Sequence, residues 1–286
     1  MNACAIFIDE PLSYKDGLLI QEKILEARIK DQIPDVVLFL EHLPVITCGV
    51  RSKPDQILLS PEELKARQIE ISKSSRGGAV TFHGPGQLVM YPIIKLGLQQ
   101  LKTVAGLDEA QASPKAPPRR VGPGSTLRPC SGQMSPATNL TFSHLKFENN
   151  KTDVHGYLYH LEETALRTAA DFGVRAYRRP GMTGAWTKQG KLAAIGVRFK
   201  RWVTHHGMSF NVDLDLSGFS AIVPCGLAGE KVTSLKLLLG NKCPSVEKAR
   251  ESLANHFRSV FARDLTVIHR QHFSASQLPS LLAMLR

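Results

Sequence analysis

Short apolar runs are interleaved with amphipathic stretches of helical period, and the two kinds do not alternate strictly. "AIFIDE", "DVVLFLEH", "VITCGV", "QLVMYPIIKL", "KLAAIGVRF" and "HGMSFNVDL" are too short for buried helices and read as strands. Helical signals stand between them. Ser13 with Asp16 resembles a capping box ahead of Leu18, Leu19, Ile24 and Leu25, in a run that reaches Asp31. Ser60, Pro61 and Glu63 mark another start. Leu158, Leu161, Ala165 and Leu166 line one face of a third helix that Gly173 can end. Val246, Ala249, Leu253, Phe257 and Val260 point inward from a fourth. Strict strand–helix alternation would demand a parallel sheet. This looser order predicts one α/β domain over residues 1–286, with a mixed sheet flanked by helices and a helical C-terminal part.

One stretch breaks the pattern. From about residue 98 to 150 the chain is rich in Pro, Gly, Ser and Thr and has no clear period, as in "KAPPRRVGPGSTLRPCSGQMSPATN". It reads as a loop or disordered insertion, or as a product of splicing, because about fifty structureless residues are uncommon inside a compact domain.

Charge and cysteines narrow the function classes. Net charge is +11, which favours acidic partners. The basic residues are scattered and no nucleic-acid motif is present, so nucleic acid is not the expected partner. No apolar run approaches the roughly 20 residues that span a membrane, so no membrane insertion is expected. Cys4, Cys48, Cys130, Cys225 and Cys243 form no CxxC pair, which argues against zinc and against a disulfide framework. "MNACAIFIDEPLSY" is a poor match to a transit peptide or a secretory signal.

Four segments can carry chemistry. "RGGAVTFHGPGQ", from Arg76 to Gln87, concentrates glycines and a proline around Thr81, Phe82 and His83. Such a turn can expose backbone N–H groups at Gly77 and Gly78 beside a fixed positive charge, or it can be structural only. It is neither a Walker loop nor a dinucleotide fingerprint. In "IVPCGLAG", Cys225 lies between Pro224 and Gly226 and is either a presented nucleophile or an inert thiol. In "KQGKLAAIG", Lys191 opens an apolar strand and suits proton transfer if partly desolvated, whereas Lys188 reads as solvated. In "THHGMSFNV", His205 and His206 should face opposite sides of a strand, which makes a shared metal awkward, while Gly207 to Ser209 can line a ligand with backbone.

Taken together, "RGGAVTFHGPGQLVMYP", "KLAAIGVR" and "HGMSFNVDLDLSGFSAIVPCGLAG" closely resemble the lipoyl(octanoyl) transferase family in order and spacing. The resemblance covers nearly the whole chain apart from the 98–150 stretch. It implies the biotin/lipoate ligase–transferase α/β fold. It makes Cys225 the nucleophile that carries the acyl group as a thioester, and Lys191 the residue that activates it and shuttles protons. It places Arg76, Gly77, Gly78, Ala79, Val80, Thr81, Phe82 and His83 against the substrate, together with Ala194, Ile195 and Gly196, and with Gly207, Met208 and Ser209. The family more often has Tyr where Phe82 stands.

The reaction implied moves an octanoyl group from acyl carrier protein to a lysine of a lipoyl domain, in 2-oxoacid dehydrogenase complexes or the glycine cleavage H protein. It needs no cofactor and no metal. Animal members work in mitochondria, which sets that expectation for the compartment. Three rivals stay open. An ATP-dependent lipoate or biotin ligase on the same fold would need no cysteine. An inactive member would act as a carrier-binding module. A cysteine hydrolase would release free acid.

Overall fold

The computed structural model describes residues 2–96, 154–223 and 230–286. The stretch read as an insertion and Cys225 both lie outside the described residues. In chain order the strands are β1 (Asn2–Ile8), β2 (Asp35–Leu40), β3 (Val45–Cys48), β4 (Glu70–Lys73), β5 (Val80–His83), β6 (Gln87–Ile93), β7 (Tyr177–Arg179), β8 (Met182–Thr187), β9 (Gly190–Lys200), β10 (Val203–Asn211) and β11 (Asp264–Arg270). The helices are α1 (Tyr14–Ile29), α2 (Pro61–Ala66), α3 (Val154–Asp171), α4 (Leu235–Leu239), α5 (Val246–Val260) and α6 (Leu278–Met284).

Among the described residues, eight strands form one sheet in the order β11-β1-β2-β6-β10-β9-β8-β7. β1 runs parallel to both β11 and β2, and the pairs from β2 to β7 are antiparallel. The sheet is therefore mixed, as the loose order of elements predicted. Its central strands are buried on both faces, and alternate side chains divide between two cores. Phe7, Val37, Phe39, Leu88 and Met90 pack against Leu161 and Ala165 of α3 and Leu253 and Phe257 of α5. Ile6, Ile8, Val36, Leu38, Val89 and Tyr91 pack against Ile20 and Ile24 of α1 and Leu281 of α6. The three-stranded sheet β4-β3-β5 closes over a third cluster that holds Ile46, Leu64, Phe82, Leu214 and Ile222.

The helix starts follow their sequence signals. Ser13 and Ser60 each accept a backbone N–H three residues on, and Glu63 returns the capping-box bond to the Ser60 N–H at 2.8 Å. Gly173, at φ +75°, follows the end of α3. Two expectations need correction. Residues 80–83 are strand β5, not loop, because Val80 to His83 pair with β3 despite the flanking glycines. The C-terminal part is not purely helical: β11 adds the edge of the main sheet, and its alternation is weak because both faces are partly exposed.

Candidate active site

The end of β3 and the glycine loop are sewn together. Gly49 N–H donates to the Ala79 carbonyl, Val50 N–H to that of Arg76 and Arg51 N–H to that of Gly78, at 3.2, 3.1 and 2.9 Å. On the other side, Gly77 N–H donates to the Val197 carbonyl of β9 at 3.0 Å. Gly196 must be glycine for this approach, since a Cβ there would sit 2.8 Å from the Gly77 oxygen. The loop is thus held between the small sheet and the middle of the large one.

Between them opens a cavity of about 560 Å³, a size usual for a small-molecule site. The three sequence segments meet there. Arg76 to Thr81 and His83 form one wall, Ala194 to Gly196 and Gly207 to Ser209 another, and Lys191 lies on the margin. Lys191 is half-buried, with Nζ 4.9 Å from the centre of the Trp186 ring. Lys188 is exposed. Phe82 is the one segment residue turned away: strand alternation sends its ring into the third cluster, edge-on to Phe219. Its ring there fills a core rather than lining the cavity.

Arg76 is buried and structural. Its Nη2 donates to the Thr47 carbonyl at 2.7 Å, its Nε to Thr47 Oγ1 at 3.1 Å and its Nη1 to the Gly77 carbonyl at 3.1 Å. That shapes the loop from within. His83 sits in a chain of fixed polarity. Asn211 Nδ2 donates to the Thr233 carbonyl, which leaves Asn211 Oδ1 to accept from Gln87 Nε2 at 2.8 Å. Gln87 Oε1 then accepts from His83 Nδ1 at 2.6 Å, so the proton is on Nδ1 and Nε2 faces the Thr47 hydroxyl. Burial, with His42 and Arg76 nearby, pushes the His83 pKa down to about 3, so the ring is neutral.

His206 and Tyr91 also line the cavity, although neither was among the substrate-lining residues expected from sequence. Opposite orientation of His205 and His206 does not hold. His206 takes φ +56°, which breaks the strand alternation, and the two rings stack at 4.7 Å. Thr47, Arg51, Lys53 and Gln56 were missed as well, since a short strand and a turn carry no motif. Of the two proposed backbone donors, the Gly77 N–H is committed to Val197, while among the described residues nothing accepts from the Gly78 N–H. Among the described residues no cluster of three His, Cys, Asp or Glu could hold a metal.

The described fold superposes on ligase structures. A bi-partite lipoate protein ligase from Thermoplasma acidophilum matches with a TM-score of 0.63 at 13% identity, over 99% of this chain and 92% of that one. A lipoate-protein ligase A bound with ATP matches with a TM-score of 0.64 at 12% identity, over 99% and 95%. Fold and cavity thus define an α/β catalytic domain of the lipoate-ligase type. The lipoyl protein ligase A/B catalytic domain matches residues 13–109 and 136–258, leaving 110–135 unmatched. An octanoyltransferase of Caldicellulosiruptor bescii is 34% identical over 95% of this chain and 96% of its own. One of Acidobacterium capsulatum is 36% identical over 89% and 88%. The chain belongs to the lipoyl protein ligase A/B catalytic family.

Proposed function

We propose that the protein is an octanoyltransferase for protein lipoylation that works through an acyl-enzyme on Cys225. The observation that carries the reading is the relationship to octanoyltransferases over nearly the whole chain. The meeting of the three sequence segments in one cavity beside Lys191 supports it. The chain before Cys225 is fixed at that cavity: Val223 N–H donates to the carbonyl of Gln56, a lining residue, at 2.9 Å. Beyond Cys225 the chain is fixed there too, with Lys191 N–H donating to the Lys231 carbonyl and Thr233 N–H to that of Lys191.

The donor is octanoyl-acyl carrier protein, and the acceptors are lysines of lipoyl domains and of the glycine cleavage H protein. The Cys225 thiolate attacks the thioester carbonyl carbon. The bond to the carrier sulfur breaks, and Lys191 supplies the proton to the departing thiol. We assign the oxyanion to the Gly78 N–H, a role worth about 3 kcal/mol for one donor. In the second half-reaction Lys191 takes a proton from the acceptor's ammonium. The freed amine attacks the acyl carbon, the Cys225 thiolate leaves, and the second amine proton passes to solvent. A thioester is already activated, so the cycle needs no ATP. We assign the protein to mitochondria on the ground that animal members of the family it resembles work there.

Intact-protein mass spectrometry after mixing with octanoyl-acyl carrier protein, without ATP, is the test. An octanoyl adduct on Cys225 that passes to an added apo lipoyl domain is expected. The Lys191→Ala variant should form the adduct and discharge it at least ~100-fold more slowly. A folded wild type that forms no adduct, yet modifies the domain from free octanoate and ATP, would move the assignment to the ligase.

A further inference from the structure

The cavity carries more positive charge than the transfer of a neutral acyl thioester requires. Its described lining includes Arg51, Lys53, Arg76 and Lys191 and no carboxylate. Arg76 spends its donors inside the protein on Thr47 and Gly77, and Lys191 is assigned to proton transfer. Arg51 and Lys53 are left. Both are exposed, and among the described residues neither forms an ion pair.

Their backbone is fixed even though their side chains reach water. Arg51 N–H is bonded to the Gly78 carbonyl. Ser52 closes the turn with its N–H at 3.0 Å and its hydroxyl at 2.8 Å from the Gly49 carbonyl. Two cations two residues apart in sequence, on a braced turn, line a cavity with no acid in its described lining, and such a pair favours an anion. A guanidinium beside an ammonium suits a phosphate, with two donors in a fork and one mobile point charge.

We propose that Arg51 and Lys53 bind the phosphodiester of the arm on which the acyl thioester is delivered. The inference rests on the octanoyltransferase reading. With the thioester at Lys191, the arm leaves through the open rim, and its phosphate stays there, half in water.

The test compares octanoyl-pantetheine with octanoyl-phosphopantetheine, thioesters that differ only in the phosphate. Wild type should prefer the phosphorylated donor about tenfold in kcat/KM at low salt. The double variant Arg51→Gln/Lys53→Gln should bring the ratio close to one. Direct calorimetric titration with phosphopantetheine should show binding to wild type that the variant weakens by a similar factor.

A wild type indifferent to the phosphate, or a variant that keeps the preference, overturns the subsite while leaving the transferase intact. Binding lost in the variant, with no transfer from either donor, upholds the subsite and overturns the transferase. Displacement of phosphopantetheine by ATP, with ATP-dependent use of free octanoate, identifies the anion as a nucleotide and overturns the proposal.

Discussion

His42 and His83 are both buried, His83 with one edge on the cavity, and burial holds both rings neutral. His42 Nδ1 donates to the Leu12 carbonyl at 3.3 Å, and its Nε2 accepts from the Tyr91 hydroxyl at 2.8 Å. Burial pushes His42 and His205 down to about 4, and His83 and His206 down to about 3. The unfolded chain takes up protons on these rings as pH falls through about 6.5, while the folded chain refuses them until about 4. The stability they confer is therefore fully present above pH 6.5 and is lost on descent toward pH 4. Burial raises the Glu41 carboxyl and works in the opposite sense, but it is one group against four. Glu163 and Asp171 are both held low against their burial, the first by Arg167 and Arg178 and the second by Ser252 and His256, and they lose their contribution as pH falls from the ordinary carboxylate range downward, below pH 5. The free energy of unfolding in urea, and with it the midpoint, should thus drop between pH 7.5 and pH 5, the free energy by on the order of 1 kcal/mol for each of His42 and His83. An equal or higher midpoint at pH 5 would show that these rings charge without cost. None of this was legible in the sequence beyond the presence of His83 in a glycine-rich loop. The partners that fix its proton, Thr47, Gln87 and Asn211, come from three separate strands.

Elements were legible where one local signal decided them. Caps at Ser13 and Ser60 and a buried stripe on α5 gave helices, and continuous apolar runs gave β2 and β6. β5 was hidden because glycines on both sides outweigh a four-residue run, and β4 because its face is largely exposed. The β7–β8 hairpin escaped notice for a related reason: its buried positions are the consecutive Gly184, Ala185, Trp186 and Thr187, a mixture with no simple alternation. That hairpin nonetheless packs against Lys191, the lysine proposed to move protons. Gly184 has φ +126°, and a Cβ there would lie 2.4 Å from the Ala193 carbonyl oxygen and 2.9 Å from Lys191 Cε. Gly184→Ala should cost about 1–3 kcal/mol of stability and also displace Lys191, slowing transfer by more than the folded fraction explains. Gly173→Ala is the control, because it shares the unfavourable φ but has nothing within 4 Å of the added methyl. Matching losses of activity in the two variants, at equal folded fraction, would mean that the hairpin does not position the lysine.

At the scale of the whole molecule the fold does not choose between ligase and transferase. The superposed structures are ligases at 12–13% identity, while the relatives at 34–36% are octanoyltransferases. The sheet order fixes where a cavity can form, and the residues on its rim and in its loops decide the chemistry. The class was therefore legible only through motifs, since composition supplied little more than charge. That charge has a consequence of its own. With 36 Lys and Arg against 25 Asp and Glu, the chain carries +11. On the proposed function, an acidic carrier and an acidic lipoyl domain would be drawn to such a charge from a distance, and the attraction would be screened as the Debye length shrinks from about 10 Å at 0.1 M salt to about 3 Å at 1 M. The expected result is a fall of about tenfold or more in kcat/KM for octanoyl-acyl carrier protein between 0.05 and 0.5 M salt, with kcat much less affected. Neutral octanoyl-pantetheine should show almost none of this salt dependence. The contrast separates steering of the carrier from any effect of salt on the chemistry. If the neutral donor fell in parallel with the carrier, the excess charge would have no part in recognition.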